Sequence, residues 1–292
     1  MVRKSIFVAV SLLIIYELIL RVTTVPWDSS QNDKSANIIS AQNYLYNYSD
    51  KEIEEDTVIL GTSVSRKLII DSLGKHFVNL SFNAWTVYDG LGVVRMNGSR
   101  PSCLLIETNY VKDLVLQPEL SDIMEPISYY SGKVFKSLHL ANQPAGLLVG
   151  WGKNKLQSRI DALREKKRED TGLYNLNVRQ NKVFMNETTP DSILTGRFEK
   201  LKALITAFQK NHTSVIFFEI PIDPELENTN SMVEVRKYYA SFFPKSEFTY
   251  IPRPEANNFV YSDGIHLSKE SAVKYSLYLK NELSAINKKA IE

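Results

Sequence analysis

The sequence has 292 residues, 43% hydrophobic and 23% charged, the balance of a globular protein rather than a disordered or fibrous one. A net charge of +2 leaves no electrostatic footprint for nucleic acid, and no nucleic-acid partner is expected. Cys103 is the only cysteine, so an intrachain disulfide and a cysteine-based metal site are both excluded. No histidine pair has metal-ligand spacing, and no metal is expected.

At the N-terminus, Arg3 and Lys4 precede an apolar run from Ile6 to Leu20, closed by Arg21. The run is shorter than the roughly 20 residues that span a bilayer, and it carries Glu17. Residues 22–26 can complete the span, and Glu17 lies near its outer end, where a carboxylate reaches the interface. No small-x-small cleavage site follows, so residues 1–26 read as an uncleaved anchor that meets the membrane through residues 5–26. A cleaved signal peptide and a buried core helix are the alternatives. The basic pair ahead of the run sets the N-terminus inside and the chain after about residue 27 outside. An outward-facing chain without disulfides fits a bacterial envelope: one pass through the inner (cytoplasmic) membrane, with the remaining domain outside the cytoplasm. Residues 27–55 are polar and read as a stalk and an entry helix.

About 260 residues remain beyond the anchor, enough for one large domain or two small ones. Thr57–Leu60 is a short β-branched run meeting Gly61, a strand entering a tight turn. Ser65–Leu73 has helical spacing, Phe77–Leu80 is a second strand, Thr86–Met96 a helix and Ser102–Glu107 a third strand. Phe198–Gln209 reads as a covering helix, Ser214–Ile220 as a strand stopped by Pro221, Phe248–Ile251 as a fifth strand and Ser268–Leu283 as a closing helix. Short continuous apolar strands alternating with helices imply an α/β fold, a three-layer sandwich around a central parallel sheet. The alternation lapses over about 111–195. That stretch holds Gly146, Gly150, Gly152 and a charged helix, Leu156–Arg168, and reads as a helical insertion that either caps the site or docks a partner.

In such sheets ligands bind beyond the carboxyl ends of the strands. Ser63 follows the first strand, Asn83 the second and Asn109 the third, while Asp263 and His266 stand just ahead of the last helix. A serine hydroxyl needs an adjacent base to become a nucleophile, and imidazole needs a carboxylate to fix its tautomer. Asp263, three residues before His266, can do this if Gly264-Ile265 makes a turn. Ser63, Asp263 and His266 are thus the catalytic candidates, with Ser65 a competing nucleophile. An oxyanion hole would combine the Ser63 N–H, a backbone N–H around Asn83 or Ala84, and the Asn109 amide. Trp85 and Trp151 either line a sugar site or pack internally. Glu107 either tunes a pKa in the site or pairs with a base. His76, His139 and His212 read as surface or boundary residues.

Ile59-Leu60-Gly61-Thr62-Ser63 resembles the first block of the SGNH (GDSL-type) hydrolases, with Thr62 where aspartate is usual. Asp263-Gly264-Ile265-His266-Leu267 resembles their closing Asp-x-x-His block. Glu107-Thr108-Asn109 stands at the third block and keeps only its asparagine; the glycine of the second block is absent, with Asn83 or Ala84 nearest. The resemblance covers roughly residues 56–110 and 195–285, in order. It implies a flavodoxin-like fold and acyl-ester chemistry without a cofactor. The layout is similar to bacterial proteins of cell-surface polysaccharide or teichoic-acid acylation. That resemblance implies a serine acyl-ester hydrolase or O-acyltransferase acting on a surface or exported glycan, beside a membrane-bound acyltransferase. A catalytically silent glycan-binding or scaffolding domain is the alternative; a general lipase fits less well, since no extended apolar lid is evident.

Overall fold

The computed structural model describes residues 2–22, 33–47, 56–111, 117–143 and 171–289, which form two compact units. The smaller comprises the described residues up to 47 together with 118–143; the larger comprises 56–111, 117 and 171–289. In chain order the helices are α1 (Val2–Val22), α2 (Asp33–Asn47), α3 (Ser63–Arg66), α4 (Ile70–Leu73), α5 (Val87–Asn97), α6 (Pro118–Met124), α7 (Pro126–Val134), α8 (Thr171–Met185), α9 (Asp191–Gln209), α10 (Asn230–Phe242) and α11 (Lys269–Lys289).

The larger unit is built on a five-stranded, all-parallel sheet. Its strands are β1 (Thr57–Leu60), β2 (Phe77–Asn79), β3 (Cys103–Glu107), β4 (Ser214–Phe218) and β5 (Thr249–Tyr250), in the order β2-β1-β3-β4-β5. The register pairs Ile59 with both Asn79 and Leu105, and Leu105 with Ile216. Strands buried on both faces read as unbroken apolar runs. Val58, Ile59, Leu60, Leu104, Leu105, Ile106, Phe217 and Phe218 are accordingly all fully buried. On one face, Ile59, Leu105 and Phe218 pack with Leu73 of α4, Val178 of α8, and Tyr275 and Leu279 of α11. On the other, Gly90 of α5 lies against Leu60. There Phe217 meets Tyr239 of α10 and Phe243 just beyond it, at ring separations of 5.6 and 5.0 Å. The chain order reverses between β1 and β3, and that switch point is where an open α/β sheet forms its crevice.

Three expectations need correction. The helix read over 65–73 is two single turns, α3 and α4. Ile69 between them is extended (φ −91°, ψ 99°), and its N–H donates to Ser276 Oγ of α11 at 2.9 Å, a tertiary bond that a continuous helix would forbid. The stretch 111–195 is not one insertion: 118–143 belongs to the smaller unit, while α8 and α9 pack in the sheet unit. Leu156–Arg168, Trp151, Gly146, Gly150 and Gly152 lie outside the described residues. His139, read as a boundary residue, is buried; its Nε2 lies 2.8 Å from the Gly132 carbonyl, and burial lowers its pKa.

In the smaller unit, α1 is the one described helix long and apolar enough to cross a membrane, with mean hydropathy 2.2 over its most apolar window. Its 21 residues extend about 30 Å, the thickness of a hydrocarbon core. Its last turns bond to other described residues. Glu17 accepts hydrogen bonds from the N–H groups of Lys136 and Ser137, both at 2.9 Å, and Arg21 donates to the Val134 carbonyl at 2.8 Å. Glu17 thus caps the 3-10 turn Lys136–Leu138.

Candidate active site

The turn after β1 is shaped by a carboxylate beneath it. Glu107, the last residue of β3, is fully enclosed, and its Oε2 accepts the backbone N–H groups of Thr62 (2.8 Å) and Ser65 (3.2 Å) and the Ser65 hydroxyl. Its Oε1 accepts the Thr62 hydroxyl at 3.0 Å. Such an approach leaves no room for a side chain at position 61: a Cβ there would stand 2.3 Å from Glu107 Oε2, so glycine is required. Burial pushes the Glu107 carboxyl above its usual pKa, although these four bonds pull it down. Ser65 also touches Ser81 Oγ at 2.8 Å, and Asn79 Nδ2 donates to the Ser65 carbonyl at 2.9 Å. Ser65 is therefore a fully buried strut rather than the competing nucleophile.

With Thr62, Val64 and Ser65 N–H groups all engaged, Ser63 is left at the rim, half-buried, with its N–H making no hydrogen bond to a described residue. Its Oγ lies 2.9 Å from His266 Nε2. His266 Nδ1 is in turn 2.7 Å from Asp263 Oδ2. Asp263 Oδ1 accepts the N–H groups of Ile265 (3.0 Å) and His266 (2.8 Å), an Asx-type turn that sets both side chains on one side. Burial alone would raise the Asp263 carboxyl; hydrogen bonds from the His266 ring and from the two N–H groups outweigh it and hold the pKa below the usual value.

The loop carrying the pair is fixed at several points. Tyr261 and Leu267 form an antiparallel bridge, and the Ser262 N–H donates to the His266 carbonyl at 2.8 Å. Gly264 has φ +90°, in the left-handed region, and a Cβ there would stand 2.9 Å from Val178. Asn181 donates to the Asp263 carbonyl at 3.0 Å, while Asp223, beyond β4, donates its N–H to the Gly264 carbonyl at 2.8 Å. Ser268 caps α11, its Oγ accepting the Ser271 N–H at 3.2 Å. Sequence reasoning did not find Asn79, Asn181 or Asp223. Each acts by a side-chain-to-backbone or backbone bond across the fold, and no local spacing announces such a bond.

The oxyanion candidates separate. Asn83 is half-buried and Ala84 exposed in the loop after β2, and Ala84 has φ +61°, a conformation glycine would take freely. Ser81 in that loop touches Ser65, so the loop passes beside the turn that carries Ser63. Asn109 is placed otherwise. It has no solvent exposure, its Nδ2 donates to the Ile220 carbonyl at 2.7 Å and its Oδ1 accepts the Ile220 N–H at 2.9 Å. The amide thus clamps the end of β3 to the end of β4 and presents no exposed donor to the site, contrary to the expectation for it.

Trp85 is buried edge-on to Phe82, 5.1 Å between rings, and so packs internally. Cys103 is buried in β3, and burial raises its thiol to about 11. A cavity of about 850 Å³ opens beyond the ends of β4 and β5, lined among others by Glu219, Arg236, Tyr239 and Arg253, and none of Ser63, Asp263 and His266 lines it. Its arginines are paired with Glu219, at 2.6 Å from Arg236 and 3.3 Å from Arg253.

The chain matches no protein-family model and no curated protein.

Proposed function

We propose that this protein is a serine acyl-ester hydrolase or O-acyltransferase of the SGNH type, held at the outer face of a bacterial inner membrane and acting on an acylated or acceptor glycan. The observation that carries this reading is the unbroken relay Ser63 Oγ, His266 Nε2, His266 Nδ1, Asp263 Oδ2, with contacts of 2.9 and 2.7 Å. In the reaction, His266 Nε2 takes the Ser63 proton as Oγ bonds to the acyl carbon. The negative charge that forms on the carbonyl oxygen is met by the Ser63 N–H and by the loop at Asn83-Ala84. Asp263, ionised through its depressed pKa, holds Nδ1–H and stabilises the imidazolium. The intermediate collapses as His266 returns its proton to the leaving oxygen, giving an acyl-serine. Water, or a sugar hydroxyl activated by the same imidazole, then takes the acyl group. With a sugar hydroxyl as acceptor, a membrane-bound acyltransferase is the partner suited to supply acyl groups from the other side of the bilayer.

Hydrolysis of a small acetyl ester by the purified protein, and its loss in Ser63→Ala, tests the reading. Turnover that persists in Ser63→Ala would defeat it.

A second reading, a catalytically silent glycan-binding or scaffolding domain, is favoured by one observation: the Asn109 amide is taken up by Ile220, leaving the oxyanion side with fewer donors. Full genetic complementation by Ser63→Ala/His266→Ala would establish it.

A further inference from the structure

Helix α7 has two faces of opposite character. Tyr129 and Gly132 point inward: the Tyr129 ring lies 6.2 Å from that of Tyr46 on α2, and a Cβ on Gly132 would come within 2.5 Å of the Tyr46 ring. About 130–190° around the helix from that pair, at i, i+3 and i+7 spacing, stand Ile127, Tyr130 and Val134. They are 85%, 66% and 53% exposed, and Leu138, in the 3-10 turn beyond the helix, is 52% exposed. An outward helix face in water is ordinarily polar; this one is apolar.

The same segment is fastened to the end of α1. Lys136 and Ser137 donate to Glu17, Arg21 donates to the Val134 carbonyl, and Tyr16 donates to the Asn142 carbonyl. These bonds hold residues 134–142 level with the last turns of a helix whose length matches a bilayer core. Leu18 and Ile19, in those same turns, are exposed apolar side chains. Lys136 is exposed just beyond the apolar row, where its long stem can carry the ammonium group to lipid headgroups. Tyrosine, apolar at the ring and polar at the tip, suits the same depth.

We propose that the face formed by Ile127, Tyr130 and Val134, with Leu138 in the turn that follows, lies in the lipid interface beside the outer end of α1. The smaller unit is then a foot on the bilayer rather than a solvated stalk. This rests on the reading of α1 as a membrane span. The occupant is lipid, because the face is tied by hydrogen bonds to the turns at which that span would leave the membrane.

The full-length protein in phospholipid vesicles tests it, with single cysteines placed by Ile127→Cys or Val134→Cys and labelled with a bimane fluorophore. Buried Cys103 stays unlabelled. Leu13→Cys on α1 reports the span itself. Brominated lipid should quench the label at 127 and 134 severalfold more than aqueous iodide does, as it should at 13. Quenching by lipid at 13 but by iodide alone at 127 and 134 would overturn the foot and leave the anchor standing. Labels at 127 and 134 shielded from both quenchers would mean that a second copy covers the face, and would also overturn it. No lipid quenching at 13 would remove the anchor and the foot together.

Discussion

The carboxylate of Glu107 and the hydroxyl of Ser65 hydrogen-bond directly beneath the turn that carries Ser63, so the strand that neighbours β1 helps to position Ser63. The same carboxylate holds two backbone N–H groups and the Thr62 hydroxyl. Glu107→Ala orphans these buried donors and should cost about 2–4 kcal/mol in chemical denaturation. Glu107→Gln keeps an acceptor for the N–H groups and should cost about 1 kcal/mol. Because burial raises this carboxyl, the folded state holds its proton to higher pH than the unfolded chain, and wild-type stability falls as pH rises through the raised pKa. Glu107→Gln should therefore gain on the wild type across that interval. A stability gap that does not change with pH would contradict this.

Asp263 behaves with the opposite sign. Its pKa is depressed, so its contribution to stability is present above the ordinary carboxylate pKa and is lost as pH falls through the depressed one. In melting curves recorded against pH, the margin of the wild type over Asp263→Asn should shrink as the solution is acidified through that range. On an acyl ester, Asp263→Asn should lower kcat on the order of 10³–10⁴-fold, through loss of the correct imidazole tautomer. A fall of less than tenfold would remove Asp263 from the mechanism.

Gly264 meets two constraints, a left-handed backbone and the nearby Val178. Gly264→Ala should lower stability by about 1–2 kcal/mol. In a Val178→Ala background the steric part should be relieved and the backbone part left, so the stability cost of Gly264→Ala there should be smaller but not zero. A cost of zero there would mean that the conformation at 264 is unimportant.

Much of this site was legible from the residues. Short apolar strands announced the sheet because burial on both faces removes alternation, as in Val58-Ile59-Leu60. The spacing of Asp263 and His266 announced their contact because the intervening glycine admits the turn. What stayed hidden was whatever depended on distant partners. The break at Ile69 arises from Ser276, more than two hundred residues away. Helix α10 escaped notice although Met232, Val235 and Tyr239 mark its buried face at i, i+3 and i+7. Its outward residues are mixed with exposed Val233 and several aromatics, which blurs the period. Asn109 was correctly placed at a strand end, but its amide pairs with the backbone at Ile220 instead of facing the rim.

That clamp gives a discriminating variant. Asn109→Ala should destabilise the fold by about 2–3 kcal/mol, since it orphans both backbone groups of Ile220. The rate per folded molecule should change by less than about tenfold, whereas loss of an oxyanion donor would cost on the order of 10²–10³. A rate loss of that larger size with stability intact would restore Asn109 to the oxyanion hole.

The most direct test of the whole account is the site of covalent labelling by a fluorophosphonate, mapped by peptide mass spectrometry. The hydroxyl of Ser63, activated by His266 at 2.9 Å, should carry the adduct in the wild type, and His266→Ala should abolish it while the protein remains folded. A folded protein that takes no label, or that takes it on another serine, would contradict the assignment.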